Sequence, residues 1–538
     1  MNKYLLFIAL LFITHSTYGH ERSEQEMYAI ACNKLYGNQS RRAAQDYSIH
    51  KLFSSSQFHI YGDENNGFVI IAIDDFFKPI LGYSQSRYRG EDMPEAFKYW
   101  LKNTEESMKY ANNFLLYSDV PYTPTENFIT TMWGQGDPYN YKSPEINGEK
   151  APSGCVATAM SQIMKYYQYP VHGEGKGLYT KSSGNSIPME VKGEYHWEQM
   201  MDSYKKVTLT DEIREPISTL MFDAGLACKM NYEDGGSGTN LFNAAYGFVH
   251  NFGYDSLSIK LYHQEYFNQK EWQDIIYKEL SARRPILAAG FNETEGHAFV
   301  LSGIDTDGLI YINWGWDGNG DGYYAIDTWS PKGSSFNEGK SMICGFNPSK
   351  QAADGAKYQS YWISDGNYII KYQKIRNWLL IKSDFIANYS PLSFSGTVNL
   401  CFEDEKGTMV KTYPIITETG KAPGYGYSSY NSGNVKVDEL PAGTYKAYLA
   451  SKAEKEDGYS KVRCTGGMIY YMISKDESGV ITVSDAQNFE TGITQSLYPS
   501  LSSSSVRYYN LQGQEVNGSF KGLLIRKQGN EMKKVVVK

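Results

Sequence analysis

The spacing of apolar residues changes several times along the chain, and each change marks a different kind of element. Phe68, Val69, Ile70, Ile71, Ala72 and Ile73 form an unbroken apolar run between Asn65-Asn66-Gly67 and Asp74-Asp75, the pattern of a buried strand. From Pro94 to Leu116 the spacing turns helical, with Phe97, Trp100, Leu101, Met108, Ala111 and Leu115 at apolar positions. Val156, Ala159, Met160, Ile163, Met164 and Tyr167 recur every three or four residues, which predicts a second amphipathic helix. Ser153 is its candidate N-cap. Beyond about residue 358 the helical period disappears. Short Tyr- and Val-rich strands there alternate with turns such as Glu405-Lys406-Gly407 and Pro441-Ala442-Gly443, which predicts a β-sandwich over 358–490. A Ser-rich stretch, Ser500 with Ser502 to Ser505, reads as a linker. After it, Val506 to Asn510, Gly522 to Arg526 and Lys533 to Val537 read as three strands of a compact tail, 500–538.

The first 19 residues have a different logic. Lys3 is followed by an apolar run from Tyr4 to Ile13 and then by Ser16, Thr17 and Gly19. This is the order of a signal peptide with a cleavage site near Gly19. The run falls short of the roughly 20 residues that span a bilayer, and no later stretch is apolar enough to be a span. The expectation is a protein secreted or held at the outer cell surface. At 538 residues about three or four domains are expected. The pattern divides them into a first unit at 20–120, a second at 121–348, the sandwich and the tail. The 46 tyrosines suit strands. A net charge of −8 leaves no basic footprint for nucleic acid. The six cysteines are sparse and never closely spaced, which excludes a dense disulfide framework and the usual zinc motifs. A pairing of Cys401 with Cys464 is left open.

The candidate chemistry lies in the second unit. Cys155 follows Ser153-Gly154 and falls in the first turn of the predicted helix, off its apolar stripe. Free backbone N–H groups and the helix dipole favour a thiolate there, a competent nucleophile toward a carbonyl. His297, in Gly296-His297-Ala298-Phe299-Val300, opens a buried-type strand that aims an imidazole outward as a general base. Asn313, in Asn313-Trp314-Gly315-Trp316, has an oxygen that can hold that ring, with Trp314 as a shield from water. Gln135, in a tight Gly- and Pro-rich loop, is a candidate side-chain donor to an oxyanion, beside the Cys155 N–H. His172, His196, His250 and His263 read as ordinary loop or surface residues. Asp317-x-Asn319-x-Asp321-Gly322 imitates the start of a calcium loop, but Thr328 stands where the bidentate Glu belongs. No metal or organic cofactor is expected.

Together these blocks resemble the streptopain family of bacterial cysteine proteases, a branch of the papain-like fold. The matching stretches are Gln135 to Asn140, Gly154 to Ala159, Gln162 to Tyr166, Asn251 to Tyr254, Gly296 to Val300 and Asn313 to Trp316, in the family's order. The interval from Cys155 to His297 also fits the ~130–150 residues of papain-like proteases. The resemblance implies an α+β catalytic domain, a Cys155 nucleophile, a His297 base and an oxyanion Gln135. It also implies a preference for hydrophobic side chains beside the cleaved bond. Ser237, Gly238 and Gly296 match places where the family contacts substrate backbone, and Trp316 is a further substrate-binding candidate. Gly67-Phe68-Val69-Ile70 and Ile80 to Ser84 resemble the family's inhibitory propeptide. A cut near 118–130 would then release the enzyme, and Arg87 to Met93 is the candidate blocking loop. The C-terminal tail resembles the sorting domain of the type IX secretion system, which implies secretion machinery as a partner. The expected partners are otherwise protein or peptide substrates and the chain's own propeptide. Two other readings stand beside this one: acyl transfer to an amine, and a catalytically silent surface protein that binds through its C-terminal β domains.

Overall fold

The computed structural model describes residues 20–37, 49–63, 67–109, 121–181, 184–291, 296–326, 340–349 and 358–489, and four strands between 507 and 537. The signal-peptide reading, the Ser-rich linker and the end of the predicted 94–116 helix lie outside the described residues. Residues up to Asn488 pack as one unit, and the strands near the C-terminus form another.

The N-terminal part has helix α1 (Glu24–Tyr36), four antiparallel strands and helix α2 (Glu95–Lys109). Why the apolar run at Phe68 does not alternate is now plain. It lies in the strand Gly67–Ala72, where Phe68 and Ile70 join the core that includes α2. Val69 and Ile71 join a second core with Met27 and Ala31 of α1. A strand covered on both faces has no polar side to show.

The small sheet does not stop at its own edge. Its strand Ile80–Ser84 pairs antiparallel with Gly322–Tyr324, matching Tyr83 to Tyr323 and Gly82 to Tyr324. One ten-stranded sheet thereby runs through both parts of the chain. Beyond Gly322–Tyr324 come Ile310–Asn313, Gly296–Ile304, Ile286–Phe291, Ser341–Cys344 and Lys260–His263. Three more helices lie against it, α3 (Cys155–Tyr167), α5 (Leu241–His250) and α6 (Gln269–Ser281), and α4 (Asp211–Ala227) packs on α3 and α5. The predicted cap of α3 is displaced by one residue. Gly154, not Ser153, is the N-cap, at φ +90° and without a side-chain cap. A side chain at Gly154 would lie 2.6 Å from Met230 Cε and 3.0 Å from Ser237 O, so only glycine fits this turn.

Residues 358–489 contain no helix among those described and form two sheets around one core. Trp362, Leu379, Ile381, Phe394, Leu400, Leu449 and Ile473 fill it. The tail has four strands where three are expected, because Glu515–Val516 pairs with Arg507–Tyr509. All six cysteines are free thiols, Cys401 and Cys464 included.

The two-sheet region is fastened to the peptidase part. Arg463 Nη1 and Nη2 each lie 3.1 Å from the Glu271 carboxylate, and Nη1 donates to Tyr266 O at 3.0 Å. Its guanidinium also sits 3.8 Å over the Phe267 ring. His263 corrects a sequence expectation. It is half-buried, with ring centroids 5.4 Å from Phe242 and 4.8 Å from Tyr389, and desolvation of the imidazole pushes its pKa down to about 4. The aromatic rings beside it come from 242 and 389, too far along the chain for local pattern to reveal. Replacing Arg463 with alanine strips the half-buried Glu271 carboxylate of its cationic partner, leaving it the Asn268 N–H, and is expected to weaken this attachment by about 2 kcal/mol. Faster hydrogen exchange in Trp362–Asp365 and Arg463–Cys464 would report the loss, and unchanged exchange would refute it.

Candidate active site

Cys155 is the first residue of α3, and its thiol hydrogen-bonds to the imidazole of His297. Burial alone would raise the thiol pKa. The His297 charge and hydrogen bond, with the Ala298 and Val156 backbone, more than reverse this, and the net shift is downward. The thiolate is therefore favoured at a helix start, where unpaired N–H groups gather. The buried thiols behave oppositely. Burial pushes Cys401 and Cys464 up to about 12 and raises Cys228 and Cys344 as well.

His297 is held from its other side. Its Nε2 lies 2.9 Å from Trp314 O. The ring expected to receive Asn313 thus faces the main chain one residue further on. Asn313 itself is buried and engaged below: its Oδ1 accepts from Gln162 Nε2 at 3.1 Å and Gly315 N at 3.0 Å. Its Nδ2 donates to Thr131 O at 2.6 Å and Gln162 Oε1 at 3.0 Å. Thr131 Oγ1 adds a bond to Gln162 Oε1 at 2.9 Å. A fully partnered network in a dry interior is stiff, and this one fixes the segment whose carbonyl meets the imidazole. Trp314 is buried. Its N–H donates to Asp321 Oδ1 at 2.8 Å and its Nε1 to Gly320 O at 2.9 Å. Burial pushes the Asp321 carboxyl up to about 7.

Sequence reasoning assigned no role to Gln162 or Asp321. Gln162 stands seven residues after Cys155, a polar residue directly before Ile163 and Met164, and that placement is the signal that marks it. Asp321 was assigned to the calcium-loop imitation. In the structure the three side chains of that imitation part company. Asp317 bonds Tyr139, Asn319 Oδ1 accepts from Lys205 at 3.1 Å, and Asp321 serves Trp314. Among the described residues no three His, Cys, Asp or Glu side chains converge as a metal site.

The remaining candidates frame the same place. Gln135 is partly exposed, and its carbonyl accepts from Ser153 N at 3.0 Å, which ties its loop to the residues before Cys155. Thr158 Oγ1 bridges Gly134 O and Gly154 O at 3.2 and 3.1 Å. Ser237–Gly238 forms a two-residue edge strand beside Gly154. Gly296, exposed, begins the strand that carries His297. Trp316 is 40% exposed, edge-on to the His297 ring at 6.2 Å.

Known proteins match this chain in two blocks. The model of the peptidase C10 family matches residues 133–324, and that of the Spi protease inhibitor matches residues 6–108. Streptopain of Streptococcus pyogenes is 29% identical over 348 residues, covering 59% of this chain and 86% of that protein. The thiol protease/hemagglutinin PrtT of Porphyromonas gingivalis is 30% identical over 328 residues, 54% of this chain and 37% of that one. A solved fragment of Prevotella intermedia prointerpain A is 31% identical, with a TM-score of 0.50, and covers 55% of this chain and 98% of that one. The chain belongs to the peptidase C10 family. This C10 peptidase is a hydrolase that cleaves peptide bonds through a cysteine, and it carries an inhibitor-type segment ahead of the enzyme, as a zymogen does. Its fold joins a propeptide and a papain-like α+β unit to a β-rich C-terminal region.

The inhibitor-type segment of this C10 peptidase grips the wall behind His297. Phe97 and Trp314 rings are 6.2 Å apart edge-on, and Trp100 Nε1 donates to Ala325 O at 3.0 Å. Ser84 Oγ donates to Asp321 O, and Gly320 N donates to Ser86 Oγ at 2.8 Å. Of the expected blocking loop Arg87 to Met93, Met93 faces Gly320: a methyl group there would lie 2.9 Å from its Cε.

Proposed function

We propose that this chain is an exported endopeptidase zymogen whose nucleophile is Cys155 and whose base is His297. The hydrogen-bonded thiol and imidazole at the start of α3 carry this reading. In the reaction the Cys155 Sγ bonds to the substrate carbonyl carbon, and the oxyanion is received by the Cys155 N–H and the Gln135 side chain. His297 delivers a proton to the departing amine and then takes one from the water that hydrolyses the acyl-enzyme. Trp314 O orients the ring, and Asn313 with Gln162 holds that carbonyl in place. Ser237, Gly238, Gly296 and Trp316 touch the substrate, with hydrophobic side chains preferred near the cleaved bond. The signal sequence ending near Gly19 directs export to the outside of the cell. Residues 20–120 form the propeptide, 121–348 the enzyme, 358–490 a β-sandwich and 500–538 a sorting tail read by secretion machinery.

The test is covalent labelling. The full precursor, allowed to mature and then treated with an epoxide inhibitor of cysteine proteases, should gain one inhibitor mass on the peptide that holds Cys155 and stop cutting casein. Labelling elsewhere, or casein cleavage that persists with Cys155 fully labelled, would overturn the assignment.

A further inference from the structure

The two-sheet region at 358–489 has no part in the chemistry above, yet it meets the cleft wall. Ser237 stands beside the nucleophile's turn, its carbonyl 3.0 Å from where a Gly154 side chain would be. From Gly238 the chain passes through Thr239 and Asn240, the N-cap of α5, whose second residue is Phe242. Thr239 Oγ1 donates to Cys228 O, and the Asn240 side chain accepts from Asn243 N, so this stretch is pinned. The Phe242 ring then touches the sheet region twice. It lies edge-on to Tyr389 at 5.4 Å, and a methyl group on Gly424 would lie 3.4 Å from it.

Gly424 belongs to the turn Lys421 to Tyr425, which one buried side chain and its own backbone hold in shape. Asn388 Nδ2 donates to Lys421 O at 2.9 Å and Leu392 O at 3.1 Å. Asn388 O accepts from Gly424 N at 2.8 Å, and Asn388 N donates to Tyr425 O at 3.1 Å. Gly424 is at φ +77°, a conformation that suits glycine. On this fixed turn the Tyr425 side chain is 69% exposed. An aromatic ring on a fixed backbone offers large contact area and loses little conformational freedom on binding.

We propose that Tyr425 is an outlying subsite of the peptidase cleft, taking an apolar or aromatic side chain of an extended polypeptide substrate some residues away from the cleaved bond. This rests on the reading of Cys155 and Ser237–Gly238 as the cleft. The six residues from Ser237 to Phe242, five steps of chain, cover at most about 18 Å, and Gly424 beside Tyr425 meets the Phe242 ring at the far end. A substrate strand of roughly seven residues spans that distance, and a dipeptide does not.

The test compares mature wild type, Tyr425→Ala and Tyr425→Phe, each with its active fraction counted by epoxide labelling of Cys155. Three fluorogenic substrates are used: an acyl-dipeptide, a peptide with eight residues before the cleaved bond, and one with eight residues after it. Tyr425→Ala should lower kcat/KM on one of the two long peptides by about 3- to 10-fold, through KM. It should keep the dipeptide rate within twofold, and Tyr425→Phe should restore the long-peptide rate. Equal rates for wild type and Tyr425→Ala on every substrate would overturn the proposal, as would an equal loss on short and long substrates. Failure of the underlying reading looks different: wild type would then take no label at Cys155 and turn over none of the three.

Discussion

A Cys155→Ala precursor stays at full length when the wild-type chain has shed its N-terminal segment. The alanine has no atom that can bond to the substrate carbonyl, so the acyl-enzyme cannot form. Loss of a nucleophile that acts as one unit with its base costs on the order of 10⁶-fold in turnover, which places self-cleavage beyond any practical incubation. Little else should change, because Cys155 is the first residue of α3 and is not among its fully buried residues. The packed residues of that helix, Val156, Ala159, Met160 and Ile163, are untouched. Intact mass over time is the measurement, with a second arm in which active wild-type enzyme is added. The variant should then be cut by the added enzyme, because its propeptide junction is unaltered. If Cys155→Ala sheds its N-terminal segment unaided at the wild-type rate, Cys155 is not the nucleophile.

His297→Ala should be nearly as damaging to turnover, with a loss of about 10⁴-fold or more in kcat/KM, and it has a second signature. The Cys155 pKa is lowered against burial by the charge and hydrogen bond of His297 and by two backbone contacts. In wild type the thiolate is therefore present below the usual thiol range, and reactivity falls as pH drops through that lowered pKa. Without His297 burial is opposed only by the backbone contacts. The thiol pKa must then rise, and the pH profile of iodoacetamide alkylation must move upward. Alkylation isolates this effect from catalysis because it needs a thiolate but no general acid. The other thiols of the mature part do not confuse the reading, since Cys228, Cys344, Cys401 and Cys464 are buried and reluctant to ionise. A downward or unchanged profile would show that His297 does not hold the Cys155 charge.

How much of this could be read from the sequence follows from what each residue has to do. Cys155, His297, Gln135 and the Asn313-Trp314 pair could be proposed from the sequence because the chemistry proposed for them prescribes residue type, order and a place at an element's end. The structure sets Cys155 beside His297 and the His297 ring against Trp314 O, and it ties the Gln135 main chain to Ser153. Gln162 and Asp321 could not be, since a buried polar partner leaves no periodic trace and Asp321 sat inside a convincing imitation of another motif. The cap of α3 moved from Ser153 to Gly154 because the demand there is for room beside Met230 and Ser237 O, which a capping rule does not weigh. The alternating strands after 358 announced two sheets, but their fastening to the enzyme did not show. Arg463 and Glu271 are 192 residues apart, and nothing local to either names the other. The joining of Ile80–Ser84 to Gly322–Tyr324 is hidden for the same reason.

That shared strand pairing gives latency the character of a local concentration. The expected cut near 118–130 breaks none of the contacts that hold Ile80–Ser84 against Gly322–Tyr324, Phe97 against Trp314 or Lys34 near Asp305. Before the cut the inhibitor segment meets its site within one chain, at a high effective concentration. Afterwards the same contacts are bimolecular, and occupancy falls with dilution. Cleavage therefore starts the enzyme without itself uncovering it. In a crowded or confined space the severed segment remains a reversible inhibitor, and in open fluid the same molecule is simply washed away.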